Sequence, residues 1–272
     1  MRNFILLVYL VFAVYTLAAQ SSSTLMGARA EGLGYTSACL TDEWSLFNNI
    51  GGLSAVKNAT AAFTYQARPG ITAFNSMAAV MAVPLSYGVA GAGIFRFGDN
   101  LYNEQILTAG YSSTFGLASL GIKANYIQYN AEGYGRKGIA SLSAGGIAKL
   151  TPVFSIGAHI ININQPKLTD DGERLPTTLI AGIAFTPSEK LLITTEIQKD
   201  LEYSAAVKAG LEYQPYKKIT FRTGVNVNPG AGYIGIGFKP GKFILDYAFM
   251  HATDLGASHQ ATVSYRLNGK RA

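Results

Sequence analysis

The sequence predicts an all-β fold, an antiparallel transmembrane β-barrel of about fourteen strands with an amino-terminal plug segment in its lumen. Three observations lead there. From about residue 59 onward, apolar and polar residues alternate in segments of roughly ten residues, the period of a strand with one oily and one polar face. The composition is apolar without long apolar runs. It is 49% hydrophobic and 14% charged, with 30 glycines and 16 tyrosines, yet past residue 20 nothing approaches the ~20 apolar residues of a spanning helix. Residues 27–53, finally, lack the alternation altogether.

In chain order, residues 1–19 read MRNFILLVYLVFAVYTLAA. Arg2 gives a positive start, an apolar core follows, and Ala18-Ala19 supply small residues before a cut near Gln20, the layout of a secretory signal peptide. The predicted organisation is a signal peptide at 1–19, a hatch or plug segment at 20–58, the barrel at 59–267 and a tail at 268–272. Cys39 is the only cysteine, so neither an intramolecular disulfide nor a thiolate metal cluster is open to the chain. It reads as a small buried hydrophobe.

The stretch 27–53 is glycine-rich, then acidic, then ends Phe47-Asn48-Asn49-Ile50-Gly51-Gly52-Leu53. A short helix is expected near 41–48, capped by Thr41 or Asp42. The candidate hatch residues are Trp44, Phe47, Asn48, Asn49, Gly51 and Gly52. The two aromatics need burial, the two amides can bond the inner wall, and the glycines allow close backbone packing or a hinge.

Candidate strands fall at 59–67, 72–83, 86–97, 101–112, 116–129, 136–150, 153–164, 177–186, 190–199, 204–214, 218–228, 231–239, 242–250 and 258–267. The last strand is the clearest, with Ala261, Val263, Tyr265 and Leu267 on one face and Gln260, Thr262, Ser264 and Arg266 on the other. Apolar faces tend to end in Tyr or Phe, as interfacial girdles do. Every second connection is tight and often proline-bearing; the others include long ones at 130–137, 165–176 and 251–258. Short periplasmic turns and longer outer loops would place both termini, and the hatch, on the periplasmic side.

The alternation sends Arg96, Lys123, His159, Glu196, Lys208, Glu212, Arg222, Asp246 and Arg266 towards the lumen, where Glu196 can pair with Lys208 and Glu212 with Arg222. No G-x-S-x-G elbow or metal-ligand spacing accompanies the three histidines, so no enzyme activity, metal or cofactor is expected. The net charge of +6 lacks the interleaved aromatics of a nucleic-acid groove. It reads as turn and lumen charge with affinity for acidic head groups, which makes outer-membrane lipid the first expected partner.

The run Gly27-Ala28-Arg29-Ala30-Glu31-Gly32-Leu33-Gly34, the acidic pair Asp42-Glu43 and the segment 47–53 together resemble the superfamily of outer-membrane barrels that includes FadL and the PorV/PorQ proteins of type IX secretion. Ile50 and Gly51 stand where those proteins usually carry proline and alanine. The resemblance implies fourteen strands, an amino-terminal segment inside the lumen and an outer-membrane location. It implies one of two functions. The first is a PorV/PorQ-like protein that interacts with secreted or surface proteins or a secretion apparatus. The alternative is a FadL-like passive transporter of small hydrophobic molecules. The longest loop, 165–176, is mostly polar, which favours the interaction reading.

Overall fold

In the computed structural model, residues 24–133, 135–168, 172, 174–200, 204–253 and 256–267 are described. The expected leader and tail, and residues 20–23 of the expected hatch segment, lie outside them. Fourteen strands form one closed antiparallel barrel. They are β1 (Thr60–Ala67), β2 (Ser76–Leu85), β3 (Gly88–Gly98), β4 (Tyr102–Phe115), β5 (Ala118–Ala131), β6 (Gly135–Lys149) and β7 (Phe154–Ile161), then β8 (Thr178–Ser188), β9 (Leu191–Asp200), β10 (Ala206–Tyr216), β11 (Ile219–Asn226), β12 (Ala231–Phe238), β13 (Phe243–Ala252) and β14 (Gly256–Arg266). Each strand pairs with its sequence neighbours, and β1 closes on β14 with Phe63 opposite Val263. Closure leaves no sheet edge unpaired, which the hydrocarbon layer demands.

The burial pattern is inverted relative to a soluble domain. Phe63, Ile94, Leu107, Ile122, Leu142, Ile197, Phe221 and Ile234 point outward and are exposed, while Thr64, Ser112, Ser141, Ser143, Thr194, Thr220, Gln260 and Ser264 are buried inside. Apolar exposure on this scale, all round the barrel, needs lipid to cover it. Among the described residues no helix is long and apolar enough to cross a membrane; the strands cross it.

One end of the barrel carries tight connections, at 86–87, 116–117, 150–153, 189–190, 217–218 and 239–242. The other end carries the loops, of which 162–177 is the longest. Two expected loops shrink, because β5, β6, β13 and β14 run on past their predicted ends: 130–137 becomes 132–134, and 251–258 becomes 253–255. Strand β2 starts at Ser76 rather than 72, since Thr72–Phe74 forms a 3₁₀ turn instead.

Residues 24–58 lie against the inner face of the strands. A short helix, α1 (Ala28–Gly32), is followed by 3₁₀ turns at Glu43–Leu46 and Ile50–Ala55. The predicted cap is present: Asp42 Oδ1 accepts from the Trp44 amide at 3.1 Å, and Ser45 Oγ accepts from the Asp42 amide at 3.3 Å. Gly27, at φ 101°, leaves no room for a β-carbon, which would sit 2.8 Å from the Trp44 ring. The segment's apolar side chains Trp44, Leu46, Phe47, Ile50 and Leu53 join inward residues of β1–β6 in the largest core cluster.

Candidate functional site

The inner wall has two chemically distinct halves, and residues 24–58 bridge them. On the β9–β13 side the lining is charged. Arg29, from α1, grips Glu212 of β10 with two hydrogen bonds of 2.9 Å and Asp42 at 3.1 Å. Glu212 also accepts from Arg222 of β11 at 2.6 Å, and Arg222 reaches Asp246 of β13 at 2.6 Å. Two guanidiniums and three carboxylates thus form one chain from hatch to wall. Beside it, Lys208 donates to Glu196 at 3.0 Å and Gln198 at 2.7 Å, while the other Glu196 oxygen accepts the Ala38 amide at 2.8 Å. Both sequence-predicted pairs therefore form, each with a contact to the amino-terminal segment.

On the β2–β6 side the lining is apolar. Ala78 and Val80, Phe95, Ile106, Ile127 and Ile139 face inward on successive strands and are buried. At the loop end this wall meets Leu175 and Leu168 of the long loop; at its other end it meets Phe47, Ile50 and Leu53. Two charged residues interrupt it: Glu104 of β4, buried on the same inward face as Ile106, and Lys123 of β5. The Lys123 ammonium donates to the carbonyls of Leu46 and Phe47 at 2.8 Å each and so holds the carboxyl end of the first 3₁₀ turn.

The candidate hatch residues are all buried. Asn48 pairs with the Met26 backbone, accepting its amide at 3.1 Å and donating to its carbonyl at 3.0 Å. It therefore braces the segment against itself rather than against the wall. Asn49 does reach the wall: it donates to the carbonyls of Ala38 at 2.6 Å and Gly146 at 3.0 Å, and accepts the Gly51 amide at 3.1 Å. A β-carbon on Gly51 would stand 2.6 Å from the Gly146 Cα, so glycine here permits two backbones to touch. Gly51 and Gly52 sit inside a 3₁₀ turn, in the close-packing role rather than at a hinge.

Two predicted lumen charges are placed differently. Arg96 faces outward on β3, in register with Met77 and Gln105. The reason is the apolar inner wall. Both faces of β3 are apolar or small, so alternation cannot fix its direction, and Phe95 and Phe97 turn inward to join the core cluster. Arg266 shares the inward face of β14 but stands exposed at the rim. His159 is buried on β7, while His259 of β14 bonds the Tyr247 hydroxyl at 2.5 Å.

Sequence reading missed Glu31 of α1. It is fully buried: one carboxyl oxygen accepts from Gln66 at 3.0 Å and Ser258 at 3.2 Å, and the other has no hydrogen-bond partner. Burial raises its pKa to about 7. Cys39 is partly buried with its thiol against the Ser155 and Gly182 carbonyls, and burial pushes its pKa up to about 12.

The chain is thus a closed fourteen-stranded antiparallel barrel with residues 24–58 against its inner wall. No protein-family model and no curated protein matches the sequence. Among solved structures, a Pseudomonas aeruginosa FadL homologue superposes with a TM-score of 0.65 at 11% identity, over 92% of this chain and 99% of that one. The Pseudomonas putida toluene transporter TodX gives 0.64 at 13% identity, over 88% and 97%. The deltaS2S3 mutant of TodX, a monoaromatic hydrocarbon channel, gives 0.66 at 14% identity, over 90% and 99%. At these identities the likeness is one of fold.

The expectation of a secretion partner came from the resemblance to PorV/PorQ and was favoured by the polarity of loop 165–176. The loop no longer favours it, because Leu168 and Leu175 turn into the barrel mouth and join its apolar core.

Proposed function

We propose that this protein is an outer-membrane channel through which small hydrophobic molecules diffuse, along the apolar half of the lumen and past residues 24–58 acting as a movable plug. The single observation that carries this reading is the continuous apolar surface from Leu168 and Leu175 through Phe95, Ile106, Ile127 and Ile139 to Phe47 and Ile50. A conduit for polar solutes has no use for such a wall, while an apolar solute is bound by it without a desolvation penalty. Leu175 closes the surface at one end and Phe47 with Ile50 at the other, so passage requires one of these closures to move. The solute class accords with TodX, a toluene transporter of the same fold. The plug role is supported by size: a fourteen-stranded barrel is wider than the roughly eight-stranded one that side chains alone fill.

The test is paired. Proteoliposomes containing the intact protein should admit toluene-sized aromatics faster than empty liposomes while excluding glucose and small ions. Deleting 27–53 should open a steady ion conductance in planar bilayers while the barrel still folds. Free ion conduction by the intact protein, or no conductance after the deletion, defeats the plug; no gain in aromatic uptake defeats the transport reading.

A further inference from the structure

Between the isoleucines of the apolar wall and the plug, the inner face changes character. Ile106, Ile127 and Ile139 stand opposite one another on β4, β5 and β6. One step nearer the turn end, the same three strands bring Thr108, Asn125 and Ser141 into register, and the next step pairs Lys123 with Ser143. On β7, His159 stands opposite Gly145, the next inward residue of β6 after Ser143. Ser143 and His159 are therefore diagonal neighbours, at the ~7–8 Å separation such pairs have, with no side chain on Gly145 to part them. The plug adjoins this corner. A β-carbon on Gly145 would sit 2.7 Å from the His159 Cβ and closer still to Asn49 Oδ1, and Lys123 holds the Phe47 carbonyl.

The corner is polar, buried and unsatisfied. Ser143 and His159 are each 3% exposed, and neither the Ser143 Oγ nor either His159 ring nitrogen has a hydrogen-bond partner. Ser141 beside them is satisfied, bonding Asn162 at 2.5 Å. Buried polar atoms are nearly always paired, because a bare one has given up its hydration for nothing. Three bare atoms at one corner mark a place that another molecule completes. The chemistry of that molecule follows from the atoms. A neutral imidazole has one nitrogen that donates and one that accepts, and a serine hydroxyl does both. The incoming group must therefore donate as well as accept. A hydroxyl does so. A carboxylate only accepts, a hydrocarbon leaves all three atoms bare, and an ammonium is repelled by Lys123 beside Ser143.

We propose that Ser143 and His159 select the solute, and that it is an alcohol or phenol whose hydroxyl bonds the Ser143 Oγ and a His159 ring nitrogen while its apolar body runs towards Ile127 and Ile139. Ser143 lies four residues from Ile139 along β6, about 13 Å, which fits an aromatic ring carrying a short alkyl chain. The isoleucines hold the body, as they would hold a plain hydrocarbon; the corner at the plug distinguishes the two. The inference rests on the transport reading, since groups this buried are met only by a solute that has moved one of the closures at Leu175 or at Phe47 and Ile50.

The experiment uses the folded full-length protein in neutral detergent and two probes that differ only by the hydroxyl, 4-propylphenol and propylbenzene. Affinities are read by titration calorimetry and corrected for uptake into empty micelles. The phenol should bind more tightly than the hydrocarbon. Ser143→Ala and His159→Leu should each weaken the phenol about fivefold, the worth of one hydrogen bond, and leave propylbenzene unchanged. His159→Gln, which keeps a donor and an acceptor, should restore most of the phenol's advantage. Ser143→Ala removes a bare hydroxyl, so the ligand-free barrel should be no less stable to denaturant. A loss of stability there would show the hydroxyl already paired in the closed barrel and overturns the proposal. So does 4-propylbenzoate binding more tightly than the phenol, which makes the corner an anion site. If propylbenzene binds and the phenol gains nothing that Ser143→Ala removes, this inference fails and the transport reading stands. If neither probe binds, both fail.

Discussion

Removing Arg29 should release the amino-terminal segment from the wall. The side chain supplies both bonds of a bidentate pair to Glu212, at 2.9 Å each, and one to Asp42 at 3.1 Å. In Arg29→Ala, Glu212 keeps Arg222, but Asp42 loses the only cation it pairs with among the described residues. Breaking a fully buried pair costs about 3–5 kcal/mol. These side chains retain 16–25% exposure, so water recovers part of the loss, and roughly 2–4 kcal/mol is expected. That is about a 30- to 700-fold rise in the unseated population. The chain's only cysteine gives the assay. Cys39 lies inside the same segment with its thiol partly buried, so its alkylation rate in the folded barrel reports unseating directly. The rate should rise by that factor in Arg29→Ala and less in Arg29→Lys, which keeps the charge but loses the fork. Adding Asp42→Asn to Arg29→Ala should restore part of the protection by removing the orphaned carboxylate. An unchanged Cys39 rate in a folded Arg29→Ala barrel would refute the latch.

Three further outcomes are expected. Cysteines introduced at 165 and 167 should react with an impermeant reagent in intact cells, and those at 217–218 should not; the reverse pattern would invert the topology. Val263, 38% exposed on the lipid face of β14, should cost roughly 2–4 kcal/mol when changed to Arg if it lies near the midplane, as measured by folding into lipid vesicles, and little when changed to Leu. Glu31 should make seating of the segment pH-dependent. Its pKa is about 7 when seated against 4.5 when free, and the groups facing it are Arg68, Tyr35 and Tyr233 besides the neutral Gln66 and Ser258. The seated form therefore holds the proton more tightly, so seating is strongest below pH 4.5, weakens as pH rises to about 7 and is then level. Cys39 alkylation, corrected for thiolate content, should trace that curve, and Glu31→Gln should flatten it.

The strand count was legible because lipid imposes one rule on every strand: one face must be oily. The direction of each strand was legible only where the inner face is polar. On β9 to β13 the lumen carries Glu196, Lys208, Glu212, Arg222 and Asp246, and the alternation placed all five correctly. On β3 the inner wall is itself apolar, the pattern loses its contrast, and Arg96 was assigned to the wrong side. Loop 165–176 misled in the same way, since its polar residues outnumber Leu168 and Leu175 while those two make the buried contacts. Local chemistry in the hatch was readable, as the Asp42 cap shows. The Arg29–Glu212 bond was not, because its partners stand 183 residues apart and only the order of closure brings them together.

The strands are unequal in a way that bears on the membrane itself. β4, β5 and β6 have 14, 14 and 15 residues, whereas β1, β7, β11 and β12 have 8 each. At about 3.3 Å per residue and a tilt near 40°, the short walls stand about 20 Å tall and the long ones about 35–38 Å, against an apolar band of about 25 Å. The two sides of one barrel thus ask for two bilayer thicknesses. The lipid is squeezed thin beside β11 and β12, and the tall β4–β6 wall rises clear of it on the opposite side. Such a wedge has an elastic cost that falls when the barrel tilts or sits where the bilayer is already thin, so hydrophobic mismatch gives this protein a preferred lean and a preferred neighbourhood.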